Sequence, residues 1–282
     1  MPFVYAAGMR HVLAAAVLVG LGLGSISSVA EADSGEGSLE LITLNTWGLP
    51  PPVSADRRDR FSDINHFVEE SGVDLVALEE VWHGAVRLLS LDGLRRPRAQ
   101  GDHGLAVVTR HALDAIEFQA FKAERGYDAL KTKGVLRARV AFPTGLTDVF
   151  VTHMQAGGGD HNATVRRLQM EQILSAVAQS ALPAVVMGDF NLHLTNPIDL
   201  ETWSMALRSG WVDVAASLGK EEPTFAGSNH RFDHVYLRDD RSRPMTPEAS
   251  EVLRYDDDPA TANPPWLSDH LPLKVRVRVQ TD

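Results

Sequence analysis

The sequence predicts an α/β (α+β) protein in which two packed β-sheets carry helices on their outer sides. Three observations lead there. Short apolar runs rich in β-branched residues recur along the chain, helical periodicity is confined to three stretches, and several successive strand candidates have no helix between them. The last point argues against a purely parallel, doubly wound sheet, which needs a crossover between neighbouring strands.

Strands are expected over 39–45, 73–78, 105–109, 135–142, 149–152, 184–187, 232–237 and 273–279. The last alternates Val275, Val277 and Val279 with Arg276 and Arg278, the pattern of a strand with one wet face. A first helix is expected over 58–70, with Phe61, Ile64, Phe67 and Val68 as its buried stripe. A longer helix over 163–180 sets Leu168, Ile173, Leu174 and Val177 on one face, and a third covers 199–208. No long Gly/Ser linker, repeat or low-complexity tract interrupts 39–279, so a single domain is expected over 33–282.

The 282 residues carry a formal net charge of -10 and no cysteine. Surplus acid disfavours a non-specific nucleic-acid binder built on a basic stripe. The lack of cysteine removes disulfides, thiolate zinc sites, iron–sulfur clusters and cysteine nucleophiles, so any metal must sit on oxygen and imidazole. At the amino terminus Arg10 and His11 precede an apolar run over 12–23, and small residues follow to Ala30, Glu31 and Ala32. That is the layout of a secretory signal with an A-x-A cleavage site, and the run is well short of the roughly 20 residues that span a bilayer. Cleavage after Ala32 is expected, with 1–32 as signal peptide and a secreted or periplasmic mature chain. Removing one Arg and one Glu leaves that chain acidic.

Polar residues cluster where the strand candidates end. Asn45 stands in Leu44-Asn45-Thr46-Trp47-Gly48, and by itself is a turn residue. Glu79 and Glu80 follow the apolar run 74–78; adjacent carboxylates repel, and a divalent cation facing one of them relieves that cost, with a solvated strand end as the alternative. His153 precedes Met154, Gln155, Ala156 and the glycines 157–159, and a lone strand-end histidine is more often structural than catalytic. The run Gly188-Asp189-Phe190-Asn191 is more specific: glycine permits close backbone approach, and Asp189 and Asn191 project from one side of an extended segment. Asp233 enters a further strand, and Ser268-Asp269-His270 sets a carboxylate beside an imidazole before the closing strand.

Taken in order, Asn45, Glu80, His153, Asp189 with Asn191, Asp233, and Asp269 with His270 resemble the endonuclease/exonuclease/phosphatase superfamily, whose members cleave phosphate esters with a divalent metal. The resemblance covers 45–270 and implies a four-layer αββα sandwich, two mixed sheets face to face with helices outside. Within the superfamily the chain looks most like the neutral sphingomyelinase branch. The residues that carry this are 45–50 (NTWGLP), Arg60, 74–82 (DLVALEEVW), 104–110 (GLAVVTR), Lys133 with Gly134, 152–156 (THMQA), Arg166, Gln169, 188–193 (GDFNLH) and 267–270 (LSDH). This register makes Glu80 the metal ligand, while Glu79 orients its neighbour or binds structurally. Several secreted bacterial sphingomyelinases carry a long hydrophobic hairpin before the SDH run. Here 255–267 is short, acidic and broken by proline, which counts against a lytic toxin and leaves Trp266 as either an interfacial contact or a core anchor.

The resemblance implies Mg2+, with Mn2+ or another divalent ion as alternatives, held by Glu80 with Asn45 and Asp269. It implies that His270, oriented by Asp233, takes a proton from the attacking water or from Asp189, and that Asn191 positions the phosphate. His153 then stabilises the transition state or protonates the leaving oxygen; which histidine is acid and which is base stays open. An imidazole suits either task because its pKa of about 6.5 lies near the operating pH. Lys133 resembles a Lys-Gly step near the substrate, with an exposed loop lysine as the default. The expected activity is hydrolysis of a phospholipid head group, sphingomyelin to ceramide and phosphocholine, with a nuclease or another phosphoesterase as alternatives. A monomer making transient membrane-surface contact is the expected working form.

Overall fold

The computed structural model describes residues 36–98, 101–238, 243–254 and 267–281. The expected signal peptide at 1–32, and 255–266 with Trp266, lie outside the described residues. In chain order the elements are β1 (Glu36–Asn45), α1 (Arg57–Ser71), β2 (Leu75–Glu79), α2 (His83–Val86), β3 (Leu94–Arg95), β4 (Ala106–Val108) and β5 (Ala112–Ala120). A 3-10 helix (Gly126–Leu130) leads to β6 (Gly134–Phe142), β7 (Gly145–His153), α3 (Asp160–Ala178), β8 (Ala184–Asp189) and α4 (Pro197–Arg208). The chain closes with β9 (Val212–Asp213), α5 (Val214–Ser217), β10 (Asp233–Arg238), β11 (Met245–Val252) and β12 (Leu273–Gln280).

The strands form two six-stranded mixed sheets, ordered β11-β12-β1-β2-β4-β3 and β5-β6-β7-β8-β10-β9. Each contains one parallel pair, β1 with β2 and β7 with β8, and these are the pairs joined by the long helices α1 and α3. A parallel pair cannot be closed by a hairpin, so the helical sequences fall where the topology requires a crossover. Leu39, Leu41, Leu75 and Ala77 of the first sheet meet Leu136, Ala138, Val149, Val151, Val185 and Met187 of the second in one buried cluster. The intervening residues Ile42, Leu44, Val76 and Leu78 face outward under Phe61, Ile64, Phe67 and Val68 of α1. On the opposite side Phe150, Val186 and Tyr236 pack under Met170, Ile173 and Val177 of α3. These three clusters separate four layers, as expected.

One face assignment is corrected. Leu168 is 43% exposed, and the buried stripe of α3 is Ala163, Arg166, Gln169, Met170, Ile173 and Val177. Two polar side chains hold that face because each is fully engaged. Arg166 binds Asp199 of α4 through Nε at 2.8 Å and Nη2 at 2.7 Å, and Gln169 receives the Gln155 amide at 2.8 Å. Hydrophobic periodicity alone does not register such residues.

The pairing register positions the site. Asn45 lies opposite Glu79, His153 opposite Asp189, and Asp233 opposite Asp189 from the antiparallel side. The polar residues seen at separate strand ends therefore gather at one end of the sandwich.

Candidate active site

Construction starts at the turn after β1. Asn45 Oδ1 accepts the Trp47 amide at 2.9 Å, an Asx turn that fixes the side chain. Its Nδ2 then donates to Glu80 Oε1 at 3.3 Å and to Asp189 Oδ2 at 3.0 Å, joining the two sheets across the cleft. The structure thus turns the amide nitrogen of Asn45 toward the carboxylates. Glu80 has φ 57°, a left-handed conformation that costs a non-glycine residue on the order of 1 kcal/mol. That twist separates the two glutamates. Glu79 continues the strand alternation into the buried space between the sheets, where Oε1 accepts from Thr43 Oγ1 at 2.8 Å and Oε2 has no partner among the described residues. Burial, with Asp233 and Asp189 nearby, pushes Glu79 well above the usual carboxylate range. Gly48 is required beside this turn, because a Cβ there would lie 2.1 Å from the Glu80 carbonyl oxygen.

Asp189 is the hub. Its Oδ1 accepts the Asn191 amide at 2.9 Å, and its Oδ2 lies 3.0 Å from Asn45 Nδ2, 3.4 Å from His153 Nε2 and 3.7 Å from His270 Nε2. Burial raises the Asp189 carboxyl to about 7 against the pull of His270. The expectation that Asp189 and Asn191 share the face of an extended segment is corrected. β8 ends at Asp189 and Asn191 turns left-handed with φ 52°, a conformation asparagine tolerates. The turn still leaves Asn191 Nδ2 in the cleft, 3.4 Å from the Met154 carbonyl.

His270 donates from Nδ1 to Asp233 Oδ2 at 2.8 Å. Burial opposes charge on this imidazole, yet Asp233 and Asp189 outweigh it and push it up to about 10. Phe225 packs edge-on against the ring, 5.1 Å between centroids. His153 behaves oppositely. Burial and the Lys133 ammonium hold it well below the ordinary histidine range, so it is neutral. Lys133 Nζ donates to His153 Nε2 at 2.9 Å, to Asp128 Oδ2 at 2.8 Å and to the Met154 carbonyl at 2.8 Å. This puts the His153 proton on Nδ1, a buried atom with no partner among the described residues.

The resemblance pointed to Lys133 near the substrate, but its burial, and Asp128 altogether, were not legible from the motifs. Lys133, by default an exposed loop lysine, is 2% exposed and sits inside the cluster. Asp128 carried no sequence signal, because a carboxylate five residues before a lysine in an irregular stretch reads as surface. Arg60, which entered only through the resemblance, proves to be a strut. It donates to the carbonyls of Ala55 at 2.9 Å, Thr46 at 3.0 Å, Trp47 at 2.9 Å and Leu267 at 2.7 Å, tying the Asn45 loop to the one that bears Asp269 and His270.

The donor set fits a hard divalent cation. Among the described residues Glu80 receives only two long bonds, from Asn45 Nδ2 and from Trp82 Nε1, each at 3.3 Å. Burial raises its pKa and repulsion from Asp269 adds to that; Asp269 is itself raised by burial. Two desolvated, under-neutralised carboxylates beside an asparagine suit Mg2+ or Mn2+, which take oxygen ligands. Asp189, Asp233 and His270 form a second group whose ligand atoms lie within 4.8 Å of one another, and there the short His270–Asp233 bond already satisfies one member.

A model of the endonuclease/exonuclease/phosphatase family matches residues 42–270. The chain belongs to this family. It is therefore a hydrolase of the phosphodiesterase class, in a family whose enzymes depend on divalent metal. A Drosophila melanogaster protein whose given name places it among the neutral sphingomyelinases is 27% identical over 174 residues, 54% of this chain and 39% of that protein. The chain thus aligns with well under half of that relative. Among solved structures, D. rerio TDP2 complexed with single strand DNA product has a TM-score of 0.68 at 19% identity, covering 85% of this chain and 98% of that one. Sphingomyelinase C from Streptomyces griseocarneus has a TM-score of 0.58 at 17% identity, covering 87% and 100%. Beta toxin from Staphylococcus aureus, with bound magnesium ions, has a TM-score of 0.63 at 17% identity, covering 87% and 100%. At these identities the structural likenesses establish the fold.

Proposed function

We propose that the protein is an exported sphingomyelin phosphodiesterase that releases phosphocholine and leaves ceramide. The observation that carries this reading is convergence: 45–50, 74–82, Lys133, 152–156, 188–193 and 267–270, the segments resembling neutral sphingomyelinases, contribute Asn45, Glu80, Lys133, His153, Asp189, Asn191, Asp269 and His270 to one cleft. The relative in Drosophila melanogaster supports it at the level of sequence.

Glu80, with Asn45 donating to it, and Asp269 are the residues that would hold Mg2+. When bound, the ion supplies Lewis-acid neutralisation of charge developing on the phosphoryl oxygens. Asp189, poised at about 7, and His270, fixed by Asp233, act as one proton-handling pair for the attacking water. His270, pushed up to about 10 by Asp233 and Asp189, suits the donor role, so Asp189 would accept the proton of the attacking water while His270 would give its own proton to the leaving oxygen. Neutral His153 keeps a donor on Nδ1, and the Lys133 ammonium adds fixed positive charge beside it. Asn191 offers an amide for the phosphate.

A nuclease on the same scaffold is the second reading, favoured by the use of this fold in D. rerio TDP2 with a DNA product. The net charge of -10 stands against it. Sphingomyelin vesicles and plasmid DNA, each incubated in parallel with Mg2+ and with EDTA, separate the two. Metal-dependent phosphocholine release is expected; nicked plasmid with intact sphingomyelin would move the protein to the nuclease reading. Export is tested on the protein recovered outside the cytoplasm, whose mass should correspond to a chain beginning at Asp33.

A further inference from the structure

Among the described residues, the three most exposed large apolar side chains are Tyr127, Leu130 and Val53, at 91%, 80% and 59%. The next, Leu200, reaches only 46%. All three lie in connections at the catalytic end of the sandwich. Tyr127 and Leu130 sit on the 3-10 helix between β5 and β6, and β6 opens with Val135 paired to Thr152, next to His153. Val53 lies in the connection that leaves Asn45 for α1, beside the exposed Pro50, Pro51 and Pro52. Tyr127 and Leu130 are firmly presented, because Asp128 between them accepts from Lys133 Nζ at 2.8 Å and from the Ala156 amide at 2.7 Å. Lys122 and Arg125 on the same connection are exposed and have no acidic partner among the described residues, in a chain whose net charge is -10.

Solvating such side chains gives an isolated molecule nothing, whereas a bilayer interface takes apolar side chains below the head groups and tyrosine at their level. We propose that Tyr127 and Leu130 insert into the interfacial zone of a phosphocholine-lipid bilayer, with Val53 as a second contact and Lys122 and Arg125 reaching its phosphates. The mouth of the cleft then rests on the surface that holds the scissile bond. The inference rests on the lipid reading above.

The test uses the mature protein and the double variant Tyr127→Ser/Leu130→Ser. Partition onto sphingomyelin–phosphatidylcholine vesicles is read by flotation in EDTA, and turnover in Mg2+ is read on the same vesicles and on the soluble diester bis-p-nitrophenyl phosphate. The double variant should partition at least about tenfold more weakly and hydrolyse vesicles correspondingly more slowly, with cleavage of the soluble diester unchanged. Equal flotation and equal vesicle turnover in the two proteins would overturn the docking surface while leaving the sphingomyelinase reading intact. Flotation lost in the variant, with no phosphocholine released by the unaltered protein, would uphold the docking surface and overturn the substrate. No flotation of the unaltered protein, with binding to single-stranded DNA instead, would overturn both.

Discussion

Asp189 Oδ2 is the atom on which Asn45, His153 and His270 converge, so removing its charge should separate chemistry from folding. Asp189→Asn keeps the shape and the Asn191 turn, and turnover should fall at least about 10²-fold with the unfolding midpoint unchanged. Activity within a few-fold of the unaltered protein would remove Asp189 from the mechanism. His153 gives a second prediction. Burial and Lys133 hold it neutral, so its ring nitrogen shifts in NMR should stay flat from pH 8 down past the ordinary histidine range. A titration midpoint near the unperturbed value would mean that Lys133 does not control it. These partners were partly legible in the sequence: the strand-end motifs named Asn45, Glu80, Asp189 and His270, because residue type and order carry that signal. The sequence was silent on Asp128 and on the burial of Lys133, because three contacts from one ammonium to distant backbone and side chains leave no local pattern.

At the scale of elements, the joint between α3 and α4 is a fully buried ion pair, Arg166 with Asp199, whose arginine also holds the carbonyls of Gln155 at 2.9 Å and Gly157 at 2.7 Å. Truncating one partner strands a charge, so Asp199→Ala should cost about 3–5 kcal/mol in chemical denaturation. A loss within experimental scatter would show that the joint is replaceable. Every central strand was legible, since β1, β2, β4, β6, β7, β8, β10 and β12 bury apolar runs that the chain states plainly. β5 and β11 escaped for a physical reason. Both lie at sheet edges, and their register shifts, between Leu113 and Ala115 and between Pro247 and Ala249, break the alternation by which strands are recognised.

At the scale of the whole molecule, His103 couples folding to pH. It is 3% exposed, stacks on Phe118 at 4.7 Å, and burial lowers its pKa to about 4. The unfolded chain, titrating near 6.5, then binds more protons than the folded one between those values. The contribution of His103 is thus complete above about pH 6.5 and is lost as pH falls toward 4. Urea midpoints should decline across that window, and less steeply in His103→Asn; identical slopes would refute the linkage. Asn45 ties the two sheets across one cleft, and in the proposed mechanism Glu80 and Asp269 would hold a divalent ion beside the Asp189 and His270 pair. Mg2+ titration of phosphodiester cleavage by the unaltered protein and by Glu80→Gln tests it most directly. Saturable activation abolished by EDTA, with the variant at least about 10²-fold slower at the same Mg2+ concentration, is the predicted result. Cleavage that persists in EDTA, or a Glu80→Gln protein that responds to Mg2+ as the unaltered one does, would contradict it.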